Sequence, residues 1–115
     1  LAKKVREVAI EDGVLNNERD KDHISRTRVW WVEAEGVVGF LNAYQHSGIT
    51  DYRDTAKMLW EYIKQYIIDP REGSEWLWAA LPDNTPGKKP IVEPWKCPYH
   101  NGRMCMEVIR RYGNV

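Results

Sequence analysis

The order of two helical patterns in the middle of the chain limits its fold more than any other feature. From Trp30 to Tyr44 the apolar residues run almost all the way round: Trp31, Ala34, Val37, Val38, Phe40, Leu41 and Tyr44. A helix apolar on most faces is one wrapped by other elements. Gly36 and Gly39 lie inside it, each costing about 1 kcal/mol of helix propensity. The expected compensation is close approach of a neighbouring helix, and Gly48 ends the segment. The next segment is capped by Thr50 or Asp51 and stopped at Asp69-Pro70. It places Tyr52, Ala56, Leu59, Trp60, Ile63, Tyr66 and Ile67 on one stripe, with Arg53, Lys57, Glu61, Lys64 and Gln65 turned away. That is a surface helix with one buried face. A wrapped helix followed by an amphipathic one makes two concentric layers, the repeating unit of an α/α barrel.

The flanks are read on the same grounds. Residues 1–12 form a helical pattern stopped at Gly13, with Leu1, Val5, Val8 and Ala9 on one face. A chain that opens inside a helical pattern reads as a segment of something larger. Residues 14–28 are polar and irregular, with Asn16-Asn17 and Asp20-Lys21-Asp22 as loop signals. Residues 76–81 read as a strand, 82–89 as a turn-rich loop and Ile91-Val92 as a returning strand, which makes a short β-hairpin. After Pro98 the chain is helical again, with Met104, Cys105, Val108, Ile109 and Tyr112 on one face. The fold class is therefore all-α with a short β-hairpin.

Composition narrows the function classes. At 115 residues the chain is one domain or less. Seventeen basic residues balance seventeen acidic ones, so no net field draws it to nucleic acid or to an anionic membrane. No stretch is long and apolar enough to suggest a membrane span. Six Trp and six Tyr stand against a single Phe. Rings that are both flat and hydrogen-bonding suit a sugar site. Two cysteines with no further staple point to a reducing compartment and hence to the cytoplasm.

The chemistry-bearing residues fall in two runs. Trp95-Lys96-Cys97-Pro98-Tyr99-His100-Asn101-Gly102-Arg103-Met104-Cys105 puts an aromatic plate, a turn-fixing proline, an imidazole and a guanidinium at the start of a helix. These groups can stack a sugar ring, move a proton and hold an oxygen. Arg28-Val29-Trp30-Trp31-Val32-Glu33-Ala34-Glu35 is the second run. Glu35 is a carboxylate on an otherwise apolar helix, so a ligand or a partner must satisfy it. Arg28 and Arg103 are its candidate structural partners, and Arg103 fits a substrate contact and an internal ion pair equally well. A histidine beside Pro and Tyr is by default a structural residue; the company of Trp95 and Arg103 argues otherwise for His100. Trp31 reads as pocket, and Trp30, Trp60, Trp76 and Trp78 as packing.

Together R-x-W-W-x-x-A-E and W-K-C-P-Y-H-N-G-R-M-C resemble the C-terminal part of the N-acylglucosamine 2-epimerase superfamily, and within it the cellobiose 2-epimerases. The N-acylglucosamine 2-epimerases proper carry Trp-Trp-Pro-x-Ser-Glu and Phe-His-Val-Pro-Arg at the two places. Here Trp31-Val32-Glu33-Ala34-Glu35 and Tyr99-His100-Asn101-Gly102-Arg103 stand instead. The resemblance covers nearly all 115 residues. It implies an (α/α)6 barrel of six helical hairpins, of which residues 1–115 supply roughly the last third as the C-terminal part of one domain. It implies an isomerase of bacterial carbohydrate metabolism that inverts C2 of the reducing-end glucose of a β-linked disaccharide through a cis-enediol. His100 then matches the family's C-terminal catalytic histidine, Trp31 and Trp95 its sugar-stacking tryptophans, and Glu35 and Arg103 its substrate pocket. The second catalytic histidine of the family lies upstream, and neither His23 nor His46 matches it. No cofactor or metal is demanded. The partners implied are a small carbohydrate and the upstream part of the same chain, with self-association of the segment alone.

Rival classes are a zinc module and other sugar proteins. Cys97-x2-His100-x4-Cys105 has the look of a zinc site but lacks a fourth ligand at close spacing. A glycosidase on the same barrel needs two opposed carboxylates, and Glu35 is the one good candidate. An aldose–ketose isomerase, an N-acylglucosamine- or mannose-type epimerase and a non-catalytic carbohydrate-binding domain stay open, because a barrel fold alone does not choose among them.

Overall fold

The computed structural model describes residues 1–113. Its backbone is two antiparallel helices, α2 (Trp30–Ser47) and α3 (Thr50–Tyr62), with α4 (Tyr99–Tyr112) also packed on α2. The wrapped and the amphipathic segments are thus a helical hairpin. Gly48 turns the corner at φ 70° and its N–H caps the Tyr44 carbonyl at 2.8 Å, the left-handed stop that glycine makes without strain. The residue before α3 is Ile49, and neither Thr50 nor Asp51 caps through its side chain; both lie inside the first turn. After Tyr62 the helix widens for one turn over Ile63–Ile67 and stops before Pro70.

The amphipathic stripe packs as its spacing predicts. Ala56, Leu59, Ile63 and Ile67 are buried, and Tyr52, Trp60 and Tyr66 line their edge. Helix α2 buries Trp30, Ala34, Val37, Val38 and Phe40 but leaves one stripe open, marked by Trp31, Gly39 and Asn42 with Glu35 half-buried among them. The two α2 glycines separate accordingly. A methyl group at Gly36 would overlap Leu15 Cδ1 and stand 2.9 Å from Leu59 Cδ1, so this glycine admits neighbouring side chains. At Gly39 nothing lies within 4 Å, so the expected close helix is not there among the described residues.

The N-terminal third departs from the sequence reading. Helix α1 (Ala2–Val8) ends early, and β1 (Ile10–Glu11) pairs with β2 (Val14–Leu15) about Asp12-Gly13, both at positive φ. Asp-Gly is a strong two-residue hairpin signal, here hidden at the end of a helical pattern. A second hairpin joins β3 (Glu18–Asp20) to β4 (His23–Ser25) inside the stretch read as irregular. The strand expected over 76–81 shrinks to β6 (Ala79–Ala80), and its partner is β5 (Arg28–Val29) rather than Ile91-Val92. That pairing lets β5 run straight into α2, with Trp30 N–H donating to the Trp78 carbonyl at 3.2 Å. It fixes the first turn of α2, and so Trp30 and Trp31, against the 76–80 segment.

Candidate active site

The site is built where α4 starts. Pro98 precedes Tyr99, and its fixed φ of −73° suits a helix entry. His100 and Arg103 are three residues apart and share a face of α4. Glu35 is five residues into α2, on the same open stripe as Trp31. The two helices bring these four residues together. His100 Nδ1 lies 3.0 Å from Glu35 Oε1, and Arg103 Nη1 donates to Glu35 Oε2 at 2.6 Å. The carboxylate therefore answers both groups at once, and of the two structural partners considered for it the one it takes is Arg103. Arg28 instead bonds Asn16 and the Glu11 carbonyl.

This arrangement orients the imidazole. Where the Glu35 carboxylate accepts, Nδ1 is the donor and Nε2 is the ring nitrogen left outside the pair. Three aromatic rings set the plane of the imidazole. Trp31 lies 5.7 Å away at 38°, Trp30 meets it edge-on at 6.4 Å and Tyr99 edge-on at 5.0 Å. Trp31 keeps 41% of its surface open beside His100, whereas Trp30 is buried. Trp30 thus packs, as expected of it, and also forms one wall of the imidazole's seat.

Trp95 stands apart from this group. It is 88% exposed and pairs with no other ring among the described residues. It occupies the tip of a tight turn in which Glu93 N–H donates to the Lys96 carbonyl and Lys96 N–H to the Glu93 carbonyl, at 3.1 and 2.9 Å. Pro94 and Trp95 are the two central residues, and proline at the first of them pre-sets the turn. Beneath the turn, Trp78 Nε1 donates to Glu93 Oε1 at 3.0 Å and the Trp78 ring lies 5.1 Å from Trp30. Trp76 faces Trp60 in the core.

Three supporting residues carry no sequence signal of their own. Lys96 is fully buried, with its ammonium 5.1 Å from the Trp30 ring centre and 3.8 Å from Glu75 Oε1. Glu75 Oε1 also accepts from Asn101 Nδ2 at 2.7 Å, next to His100 on α4. A lysine in a polar loop reads as solvated, so only the fold reveals this one.

Cys97 is exposed, while Cys105 packs against the core, and among the described residues no three His, Cys, Asp or Glu side chains stand close enough to hold a metal ion. His23 is exposed at the start of β4. His46 bonds the Asn42 carbonyl near the far end of α2, eleven residues or roughly 16 Å along the helix from Glu35. No helix among the described residues is long and apolar enough to cross a membrane.

Residues 1–102 match the model of the N-acylglucosamine 2-epimerase (GlcNAc 2-epimerase) family. The chain belongs to that family. It is 61% identical over 112 residues to the cellobiose 2-epimerase of Ruminococcus albus, covering 96% of this chain and 29% of the relative. The cellobiose 2-epimerase of Dictyoglomus turgidum is 49% identical over 111 residues, covering 96% and 28%. Among solved structures, a sugar epimerase from a ruminal bacterium superposes with a TM-score of 0.93 at 61% identity, over 96% of this chain and 29% of that one. A cellobiose 2-epimerase from Bacillus thermoamylovorans gives 0.93 at 43% identity, with the same coverage. These epimerases are (α/α)6 barrels, and the chain is a segment of such a barrel spanning a little under a third of the length of the relatives it matches.

Proposed function

We propose that the intact protein is a cofactor-independent sugar 2-epimerase. It converts the reducing-end glucose of a β-linked disaccharide such as cellobiose to mannose, in the cytoplasm. The observation that carries this reading is the Glu35–His100–Arg103 cluster beside an open Trp31: a base whose free nitrogen is aimed by a carboxylate, at the edge of an aromatic plate.

The chemistry follows from the acidity of C2. Ring opening exposes the aldehyde, which acidifies the neighbouring C–H. His100 Nε2 takes that proton, the C–H electron pair becomes the C1–C2 double bond, and the aldehyde oxygen gains a proton, giving a cis-enediol. A proton returned to the opposite face of C2, with loss of the O1 proton, restores the aldehyde with C2 inverted. The net change is an isomerisation that needs neither oxidant nor nucleotide. The acid on the opposite face comes from outside these 115 residues, since neither His23 nor His46 approaches His100. Trp31 and Trp95 offer ring faces to the C–H sides of sugar rings. Glu35 holds the imidazole, and Arg103 keeps Glu35 in place.

The test is incubation of the intact protein with cellobiose in deuterated water, followed by NMR, with His100→Ala in parallel. Deuterium at C2 and a glucosyl-mannose product are expected, both reduced by at least roughly 10²–10⁴-fold in the variant. Exchange that yields a ketose would move the reading to an aldose–ketose isomerase. No exchange with any disaccharide, free hexose or N-acylhexosamine would leave a carbohydrate-binding domain.

A further inference from the structure

Lys96 is the least expected residue of the structure. Its side chain is fully enclosed by residues of this chain, so its burial does not depend on anything packed outside it. Its ammonium makes no hydrogen bond among the described residues, and Glu75 at 3.8 Å is too far for one. Burial pulls its pKa down, while the Glu75 carboxylate pushes the other way. A buried cation with a single carboxylate in reach is costly, and a hydrocarbon of the same length would fill the space at less expense. Something other than packing therefore accounts for a lysine here.

Its connections identify what that is. The Lys96 backbone closes the turn that carries Trp95 through two hydrogen bonds to Glu93. The side chain runs inward and lays its charge on Trp30, whose ring meets His100 edge-on. On its other side it faces Glu75, which holds Asn101, the neighbour of His100. Glu93 ties the same turn to Trp78, which packs on Trp30. An exposed tip with no packing of its own is thus anchored from below to the frame that seats the base.

We infer that Lys96 is a positioning residue: buried beneath the Pro94-Trp95 turn, it fixes the exposed Trp95 plate relative to His100 and so sets how the second ring of a disaccharide is held. The inference rests on the epimerase reading above and adds to it a residue that touches neither substrate nor base. Because Glu35 holds His100 Nδ1 directly, loss of the Lys96 charge falls more on substrate binding than on proton transfer.

The experiment is steady-state epimerisation of cellobiose by the intact protein and its Lys96→Met, Trp95→Ala and double variants, with thermal unfolding of each. Lys96→Met is expected to raise KM roughly tenfold with kcat changed less than about threefold, and the double variant to match Trp95→Ala within about twofold. Lys96→Gln, which keeps a polar end, serves as the second variant if methionine does not fold. Wild-type KM in a folded Lys96 variant would overturn the inference, whatever its Tm. So would a loss confined to kcat, or single-variant effects that multiply in the double. Failure of both Lys96 variants to fold would make the lysine a structural keystone and overturn it too. An active wild type with a normal Lys96→Met sinks this inference alone, whereas a wild type inactive on every sugar removes the epimerase reading and this with it.

Discussion

Two glutamates two residues apart on α2 show how environment divides one residue type into separate roles. Glu35 sits on the open stripe with His100 and Arg103 on its two oxygens. Glu35→Gln keeps the shape but offers Arg103 no charge and can turn its amide toward His100. Misplacing a base by about 1 Å costs on the order of 10²-fold, so kcat should fall by about that much while stability changes by no more than about 1 kcal/mol, the pair being partly solvated. Steady-state kinetics with a melting curve checks both. Glu33 points the other way, into the core, where Oε2 accepts from Leu15 N–H at 3.2 Å and Oε1 has no partner among the described residues. Burial raises its pKa from 4.5 to about 8, against the opposing pull of the Leu15 amide and the Arg28 charge. The folded state therefore keeps a proton that the unfolded chain sheds near pH 4.5. Its contribution is fully present below that pH and is lost as pH rises toward about 8, at up to about 1.4 kcal/mol per unit. Glu33→Gln should flatten the fall in Tm between pH 5 and 8 and should be the more stable form at pH 8; parallel slopes for the two proteins would refute this. The sequence marked Glu35 as a carboxylate in need of a partner. It gave no sign that Glu33 would be the more deeply buried, because a helical pattern apolar on most faces does not say which side stays open.

At the scale of elements, the helices were legible and the strands were not. The stripe on α3 spans several turns, long enough for a period to emerge from the noise of single residues, and the buried set matches it. The strands are two or three residues each, too short for alternation to register, and β5 pairs with β6 some fifty residues away. Asp12-Gly13 was the readable hairpin signal, overridden by the helical run before it. Glycine spacing was half legible: it announced close approach, which Gly36 meets through Leu15 and Leu59 and Gly39 does not. This difference is measurable. Gly36→Ala gains about 1 kcal/mol of helix propensity but must displace two packed leucines, and overpacking of that kind costs about 1–3 kcal/mol. The intact protein should lose several degrees of Tm with Gly36→Ala and none with Gly39→Ala. Equal losses would show a neighbour against Gly39 as close as the one against Gly36.

The whole molecule is a slab, 41 × 39 × 23 Å, whose thin dimension is two helix layers. Its radius of gyration is 14.1 Å, a little above the roughly 13 Å expected for a self-contained domain of this length. That shape suits one arc of a ring better than a closed core. An apolar groove of about 350 Å³ runs between α1 and α2, lined by Leu1, Val5, Val32 and Phe40 among others and reaching Glu35. Elsewhere Trp95, Tyr99, Met106 and Ile109 are exposed. An open apolar groove of this kind drives association when nothing covers it. The 115-residue chain expressed alone should therefore sediment as a concentration-dependent oligomer. On the proposed scheme it should also catalyse no C2 exchange even at high concentration, because His100 would lack its acid on the opposite face of the sugar. The two results separate two ideas. A clean monomer would mean that the open faces are compatible with water and that the slab is stable as it stands. Exchange by the isolated chain would mean that protons enter both faces of C2 from these residues alone, and the two-histidine scheme would have to be abandoned in favour of His100 acting with solvent.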